Sequence, residues 1–396
     1  ASDWNNQVWE ALFVVNESAN VTKQIGGTTK QAVGGYYSGG NISVITSDGG
    51  VNELTVAHEL VHALQDQRYN MSASRFSPPV QDQQLAEMGL VEGESEYIRA
   101  LYERKCRSDW NCVRESGGPG VPSAGSGRGN DFNIGILMTI YQPYADGPAY
   151  IHSVVENEGW DAVDAKFEGN VPKTSEAIIH IQEDRRVNMT FNDTSNANWS
   201  LYPDQGIKGY DVAGEASIYA MFWYQTTRTG ESFVDVTSFR NPEHGSFDRL
   251  NYTGVPSEGW GNDRIYPYRR VGEDAENQSQ ADGGYVWKTV WDTEEDAREF
   301  QSTYLDLLRT KGAEKVRETV WRIPEGGFED AFRVVRRNAT VTVVNGPTVG
   351  SLDAIRPVSN SSSEPPRGNR SDGFGFLLPL GAFAVLTLFV LLRRGD

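Results

Sequence analysis

Cysteine, histidine and lysine are scarce in this chain of 396 residues, which contains 2 Cys, 5 His and 9 Lys. Two cysteines cannot supply a cysteine-based zinc site. Cys106 and Cys112 enclose a short loop, so a local disulfide is expected rather than a reactive pair. The lysine deficit leaves 36 basic against 54 acidic side chains, a net charge of −18. Binding nucleic acid through a basic surface needs clustered Lys and Arg, so that class of function is excluded.

The acidity has two interpretations. Arginine outnumbers lysine 27 to 9, and an acidic, lysine-poor chain is typical of a protein in concentrated salt, where self-repulsion is screened. An ordinary acidic secreted protein is the alternative. The 10 Trp, 17 Tyr and 16 Phe predict a real hydrophobic core rather than a disordered acidic chain.

A long uncharged apolar run lies near the C-terminus, at residues 374–392, and Arg393-Arg394 follow it. As a helix it spans roughly 28 Å, enough to cross the hydrocarbon core of a bilayer, and the arginines favour the cytoplasmic side. We therefore predict a soluble domain at 1–345, a Pro/Ser-rich stalk at 346–372 and a transmembrane anchor or sorting signal at 373–394. A buried core helix is the alternative for the apolar run.

The same tail resembles the C-terminal sorting signals of haloarchaeal surface proteins, in which the tail is removed and replaced by lipid. Those signals usually begin Pro-Gly-Phe, whereas Asp372 stands in the proline position here.

Twelve Asn-x-Ser/Thr sequons predict a glycosylated exterior. They begin at Asn16, Asn20, Asn41, Asn70, Asn188, Asn192, Asn198, Asn251, Asn277, Asn338, Asn360 and Asn369. No signal peptide is visible at Ala1, so the chain is expected to be the mature form. These features favour a cell-surface protein with its main domain outside the cytoplasm and a membrane partner for its tail.

Hydrophobic periodicity predicts an amphipathic helix over 52–67 and a second helix over 83–105. Further helices are predicted near 134–141, 148–157, 174–181, 214–227 and 294–310, a hairpin at 34–45, and β-type segments at 285–290 and 339–344. The predicted fold class is therefore α+β, α-rich with a small β-sheet, plus the C-terminal transmembrane helix.

The motif His58-Glu59-Leu60-Val61-His62 carries the chemistry. Positions i and i+4 share one face of a helix, so both imidazoles can reach one metal ion while Glu59 touches a bound water. Zinc accepts two histidines and one carboxylate and keeps a fourth position for water. Glu59 is then the general base for attack on a peptide carbonyl. A pair of helix-surface histidines is the alternative.

The third ligand is expected from an acidic residue on the following helix, where Val91-Glu92-Gly93-Glu94-Ser95-Glu96 supplies three candidates. Glu96 can instead ligate, or orient His58 or His62 from behind. A solvated helix face is the alternative for Glu94 and Glu96. Asp66, one turn after His62, is expected to brace the helix or to bond a ligand imidazole.

Together with QPYADGPAYI, KTSEAIIH, VAGEASIYAMF, EGWGNDRIYPY and VWKTVWDTEEDAREF, these blocks resemble a gluzincin-like family of HExxH zinc metallopeptidases found among bacterial lipoproteins and haloarchaeal surface proteins. The resemblance covers about residues 34–305. It implies a zincin-like fold, one Zn²⁺ per chain held by His58, His62 and Glu92, and a peptide or protein substrate. Around His180 this chain departs from the family pattern, with Ala177 for Gln and Ile181-Gln182-Glu183 for Pro-Glu-Lys.

A peptidase also needs a donor for the oxyanion and the leaving amine. His180 is the first choice, with Arg264, Tyr266 and Tyr268 as other candidates. A structural role for His180, bonded to Glu176, is the alternative. Arg264 can instead bind a substrate carboxylate, or pair with Asp263 or Glu215 to fasten the domain.

The predicted function is a membrane-anchored, extracytoplasmic zinc metallopeptidase. A non-catalytic surface glycoprotein on the same scaffold is the runner-up, and another zinc hydrolase is a third possibility.

Overall fold

The computed structural model describes residues 3–45, 51–112, 129, 131–271 and 283–358. Its α-helices are α1 (Asp3–Ala11), α2 (Val21–Ala32), α3 (Glu53–Tyr69), α4 (Gln81–Ser108), α5 (Ile134–Glu158), α6 (Trp160–Glu168), α7 (Ser175–Ile179), α8 (Gly214–Thr229), α9 (Glu294–Thr310) and α10 (Val349–Ile355). Its strands are β1 (Gly35–Ser38), β2 (Asn41–Val44), β3 (Trp199–Leu201), β4 (Trp260–Arg270), β5 (Gly284–Trp291), β6 (Glu314–Arg317), β7 (Val320–Arg322), β8 (Ala331–Arg337) and β9 (Thr340–Gly346).

The larger sheet has seven antiparallel strands in the order β3-β4-β5-β9-β8-β7-β6. The predicted fold class, with its small sheet, is therefore wrong. Strand β4 was not predicted from the sequence. Polar Asn262 and Asp263 interrupt its apolar pattern, yet both are buried because distant groups satisfy them.

The described residues contain no counterpart of the predicted transmembrane helix. Within the described ranges, no helix is both long and apolar enough to cross a membrane. The apolar run predicted as an anchor, 373–394, lies outside the described residues, as do positions 359–372 of the predicted stalk.

The folded part extends past the boundary predicted at residue 345. Strand β9 ends at Gly346, and α10 follows at once, with Thr348 capping it by accepting a hydrogen bond from Ser351 N. Leu352 and Ile355 of α10 are fully buried against the sheet. Residues 349–355 therefore belong to the folded domain rather than to a stalk.

Helices α4 and α5 pack with their backbones almost in contact. A Cβ on Gly93 would lie 2.6 Å from the carbonyl carbon of Gly147, and a Cβ on Gly147 would lie 2.6 Å from the carbonyl oxygen of Gly89. Only glycine permits this approach. This close packing determines how deeply the acidic face of α4 is buried.

Helix α5 runs without a break through Pro143 and Pro148, where the sequence analysis predicted two separate helices. Each proline removes one backbone hydrogen bond. The helix is buried along most of its length against α4 and α8, and we attribute its continuity to this packing.

Asp263 of β4 joins the sheet to the helical layer. It is fully buried, and its carboxylate accepts hydrogen bonds from Ala213 N and Gly214 N at the start of α8. The indole N–H groups of Trp260 and Trp287 donate to the same carboxylate at 2.9 Å. A carboxylate at a helix N-terminus is favourable, so Asp263 sets the position of α8.

Candidate metal centre

Helix α3 presents both histidines of the motif to the interior. Asn52 caps the helix by accepting hydrogen bonds from Leu54 N and Thr55 N. His58 and His62 are 8% and 1% exposed, and their Nε2 atoms lie 3.0 Å apart. The two imidazoles therefore converge on one point.

Helix α4 brings Glu92 to that point. Its Oε2 lies 3.1 Å from Nε2 of His58 and 3.3 Å from Nε2 of His62. Glu92 is fully buried, one residue before the close contact of Gly93 with α5. The helix packing thus positions the carboxylate.

The spacing of these three donor atoms fits one zinc ion. Ligand bonds of about 2.0–2.1 Å in a tetrahedron place two donors roughly 3.3 Å apart. The 3.1 and 3.3 Å contacts of Glu92 with the imidazoles lack hydrogen-bond geometry, and neither carboxylate oxygen has another hydrogen-bond donor in the part of the chain that the structure describes. A buried carboxylate without a donor is costly, so the arrangement suits a cation.

The electrostatics of the cluster agree with its geometry. Burial alone would raise the pKa of Glu92, but the two histidines outweigh it and lower that pKa to about 2. Burial lowers the pKa of His58, yet Glu92 and Glu96 outweigh it and raise it to about 10. The Glu92 carboxylate is therefore ionised and able to bind a cation. To bind the imidazoles as well, the cation must displace their protons.

Each histidine is held from behind by a polar side chain. Nδ1 of His58 lies 2.9 Å from Oε1 of Glu96, and Nδ1 of His62 lies 2.9 Å from Oε1 of Gln65. Gln65 is fixed in turn by donating to Glu94 Oε2 at 2.8 Å. Such contacts set ring orientation and basicity. Glu96 was predicted at the site from the sequence, whereas Gln65 was not, although its position three residues after His62 places it on the same face of α3.

Glu59 lies beside the cluster under strand β1. It is 4% exposed, and its Oε2 has no hydrogen-bond partner within the described ranges. Gly35 makes room for it, since a Cβ there would lie 2.6 Å from Thr55 Cγ2 and 3.2 Å from Glu59 Oε1. Burial raises the pKa of Glu59, against the effect of the nearby histidines. A raised pKa suits a general base working near neutral pH.

Tyr144 on α5 is a site residue that sequence analysis missed. Its ring stacks near His58, with centroids 6.4 Å apart. Burial and then the Glu92 carboxylate raise the pKa of its hydroxyl well above the usual value, and Glu59 and Glu96 add to the shift. The phenol therefore stays protonated beside the cluster. The block QPYADGPAYI contains it, but no local pattern distinguishes it from core tyrosines.

His180 takes a different partner from the one considered in the sequence. Its Nε2 lies 2.9 Å from Oε2 of the buried Glu215 on α8, whereas Glu176 accepts from Arg185 Nη2 at 3.1 Å. Among the described residues, no hydrogen bond or ion pair joins His180 or Glu176 to the three zinc-ligand candidates. The catalytic role of His180 stays a prediction.

Asp66 and Arg264 serve the surrounding structure. Asp66 Oδ2 accepts from the Tyr37 hydroxyl at 3.0 Å and its Oδ1 from Met71 N at 3.1 Å, which braces β1 and the turn after α3. Arg264 donates to the Tyr266 hydroxyl at 3.3 Å and lies 4.5 Å from the ring centroid of Tyr210. Tyr268 donates to Asp193 at 2.7 Å.

A disulfide joins Cys106, near the end of α4, to Cys112. The two Cα atoms are 5.4 Å apart.

Residues 202–356 match a family described as a domain of unknown function (DUF8575). The match includes α8 and β4–β9 and excludes α3, α4 and α5, which carry the candidate metal centre. No curated protein and no solved structure matches this chain.

Proposed function

We propose that this chain is a zinc-dependent metallopeptidase in which His58, His62 and Glu92 hold one zinc ion. The observation that supports it best is the mutual spacing of three buried donor atoms, 3.0 to 3.3 Å, at a carboxylate that no protein donor satisfies within the described ranges. When bound, zinc polarises a substrate carbonyl and lowers the pKa of water in its coordination sphere.

Glu59 accepts the proton of the attacking water and passes it to the leaving amine. Its carboxylate lies next to the cluster, and burial holds its pKa above the usual value. A zinc-binding module without catalysis would need only the ligands. A buried carboxylate with an unpartnered oxygen at this position therefore favours an enzyme over the alternative of a non-catalytic surface glycoprotein.

Tyr144 donates its phenolic hydrogen to the oxygen of the scissile carbonyl as negative charge develops there. Its hydroxyl remains protonated because burial, and then the Glu92, Glu59 and Glu96 carboxylates, raise its pKa. A fixed donor at a developing oxyanion is among the largest contributions to acyl-transfer catalysis. This role is assigned to Tyr144 because it contacts the cluster, whereas His180 is engaged with Glu215.

The decisive experiment compares zinc content and cleavage in the full chain. We expect about one zinc per chain by mass spectrometry, and cleavage of fluorescently labelled casein in high salt. Glu59→Gln should retain zinc and lose at least 10³-fold in activity, while the exposed Glu168→Gln should match wild type. Equal activity of wild type and Glu59→Gln would remove the peptidase mechanism, and a purified chain unable to bind zinc would remove the proposal entirely.

A further inference from the structure

A second group of acidic side chains lies outside the metal centre, where the N-terminal helix meets the sheet. Glu10 is in the last turn of α1, Glu17 follows that helix, and Asp330 precedes β8. One carboxylate oxygen of each residue lies within 4.8 Å of the others. Glu10 and Asp330 are 8% and 4% exposed, so this is not a solvated acidic patch.

The three carboxylates have no basic partner. In the described ranges, no Lys, Arg or His forms an ion pair with any of them. Oε1 of Glu17 and Oδ1 of Asp330 are also buried without a hydrogen-bond donor. Burying like charges without compensation is prohibitively costly, so the group must bind a cation or hold protons.

A neutral oxygen beside the group favours the cation. Asn345 on β9 is 1% exposed and donates from Nδ2 to Oδ2 of Asp330 at 2.8 Å. Its own Oδ1 is buried and has no donor among the described residues. A shared proton joins only two oxygens, whereas one cation takes several carboxylate and amide oxygens together.

We propose that Glu10, Glu17 and Asp330, with the amide oxygen of Asn345, form a calcium site that clamps α1 to the sheet. All the donors are oxygens, as hard cations require. Two oxygens on one Ca²⁺ lie up to roughly 5 Å apart, against roughly 4 Å for Mg²⁺. Carboxylate oxygens at most 4.8 Å apart are close enough to share one hard cation, and the larger radius of Ca²⁺ suits the wider part of that range. This site is independent of the proposed zinc chemistry.

The test measures calcium binding and thermal unfolding in the full chain with zinc held constant. We expect one ⁴⁵Ca²⁺ per chain by equilibrium dialysis. We also expect Tm to rise by roughly 4 °C when CaCl₂ reaches a hundredfold excess over Kd. Glu17→Gln, at the partly exposed edge of the site, should fold but lose both responses. The exposed Glu314→Gln on β6 removes the same charge and should retain them.

The outcomes distinguish a site that binds a cation from one whose carboxyl groups are protonated. A wild-type chain that binds no ⁴⁵Ca²⁺, with Tm unaffected by CaCl₂ and rising as pH falls, would overturn the proposal in favour of protonated carboxyls. Equal responses of Glu17→Gln and Glu314→Gln would overturn the assigned ligands. A His62→Ala chain without zinc should still bind calcium, so failure of one site is distinguishable from failure of the other.

Discussion

Glu96 lies between a candidate zinc ligand and two arginines. Its Oε1 is 2.9 Å from Nδ1 of His58, and its Oε2 binds both Arg99 and Arg249. Burial alone would raise the pKa of Glu96, but His58, and then Arg249 and Arg99, outweigh it and keep the carboxylate ionised. The orientation of His58 therefore depends on residues that do not touch the metal.

Glu96→Gln should lower zinc affinity by about 10- to 100-fold, because the amide is a weaker partner for the imidazole N–H. Competition with a fluorescent zinc chelator measures this change. The exposed Glu168→Gln on α6 is the control and should leave zinc affinity unchanged. Equal affinities for the two variants would show that Glu96 does not support the ligand.

Tyr144→Phe should lower kcat by about 10²-fold with zinc content and KM little changed, because it removes only the proposed oxyanion donor. Tyr150→Phe, six residues later on α5, removes the hydroxyl of a buried tyrosine outside the cluster and serves as control. Steady-state cleavage of a quenched-fluorescence peptide separates kcat from KM. A rise in KM alone would assign Tyr144 to substrate binding.

Gly93→Ala should destabilise the fold by about 1–3 kcal/mol, since its methyl group would collide with the backbone at Gly147. The helices must separate, so zinc occupancy should fall as well. Gly169→Ala, where a Cβ meets no atom within 4 Å, is the control. Urea unfolding measures the free energy. A Gly93→Ala variant with the same free energy of unfolding as wild type would mean that α4 and α5 do not pack this closely.

The buried Asp146 should make stability decrease as pH rises. Burial, and then the neighbouring Asp248, raise the pKa of Asp146 well above its usual value, so the folded chain binds a proton more tightly than the unfolded chain. The stabilisation is therefore complete below about pH 3.8 and is lost as pH rises through the folded-state pKa, with about 1.4 kcal/mol for each tenfold difference in proton affinity between the folded and unfolded chains. In urea titrations from pH 4 to 8, Asp146→Asn should flatten this slope, and the exposed Asp161→Asn should not. Parallel slopes for wild type and Asp146→Asn would contradict the raised pKa.

Asn251 should stay free of glycan even if the protein is made in a glycosylating host. It is 8% exposed, and its Nδ2, the atom to which a glycan attaches, donates to Glu243. Asn16, Asn70 and Asn188 are exposed and should be glycosylated in the same host. Glycopeptide mass spectrometry reports each position. Full occupancy at Asn251 would indicate modification before folding.

Local patterns predicted the parts of the site that depend on one element. The i, i+4 spacing located His58 and His62 on a helix, and the turn at Gly39-Gly40 was confirmed, since both residues have positive φ between β1 and β2. Helical spacing could also have located Gln65. It could not have located Tyr144, because the position of Tyr144 beside Glu92 arises from the packing of α5 on α4, which no local pattern records.

The sheet was underestimated for a related reason. Alternation of apolar and polar residues with period 2 identifies strands that have one solvent-exposed face. Strand β4 is instead buried along most of its length and contains Asn262 and Asp263. Its polar groups are satisfied by α8 and by the segment around Val187, far away in sequence. Helix α1 was missed because Asn5, Asn6 and Gln7 interrupt its apolar pattern, although Trp4, Val8 and Trp9 are buried.

The docking of α1 onto β4 and β5 has a consequence for synthesis of the chain. The helix at residues 3–11 buries Trp4 and Trp9 against strands that begin at residue 260. A ribosome therefore releases these tryptophans long before their partners exist, and α1 docks late. The hydrophobic core that contains both tryptophans draws on residues from 4 to 343. A nascent chain that stalls before β5 would therefore expose two large indoles to water.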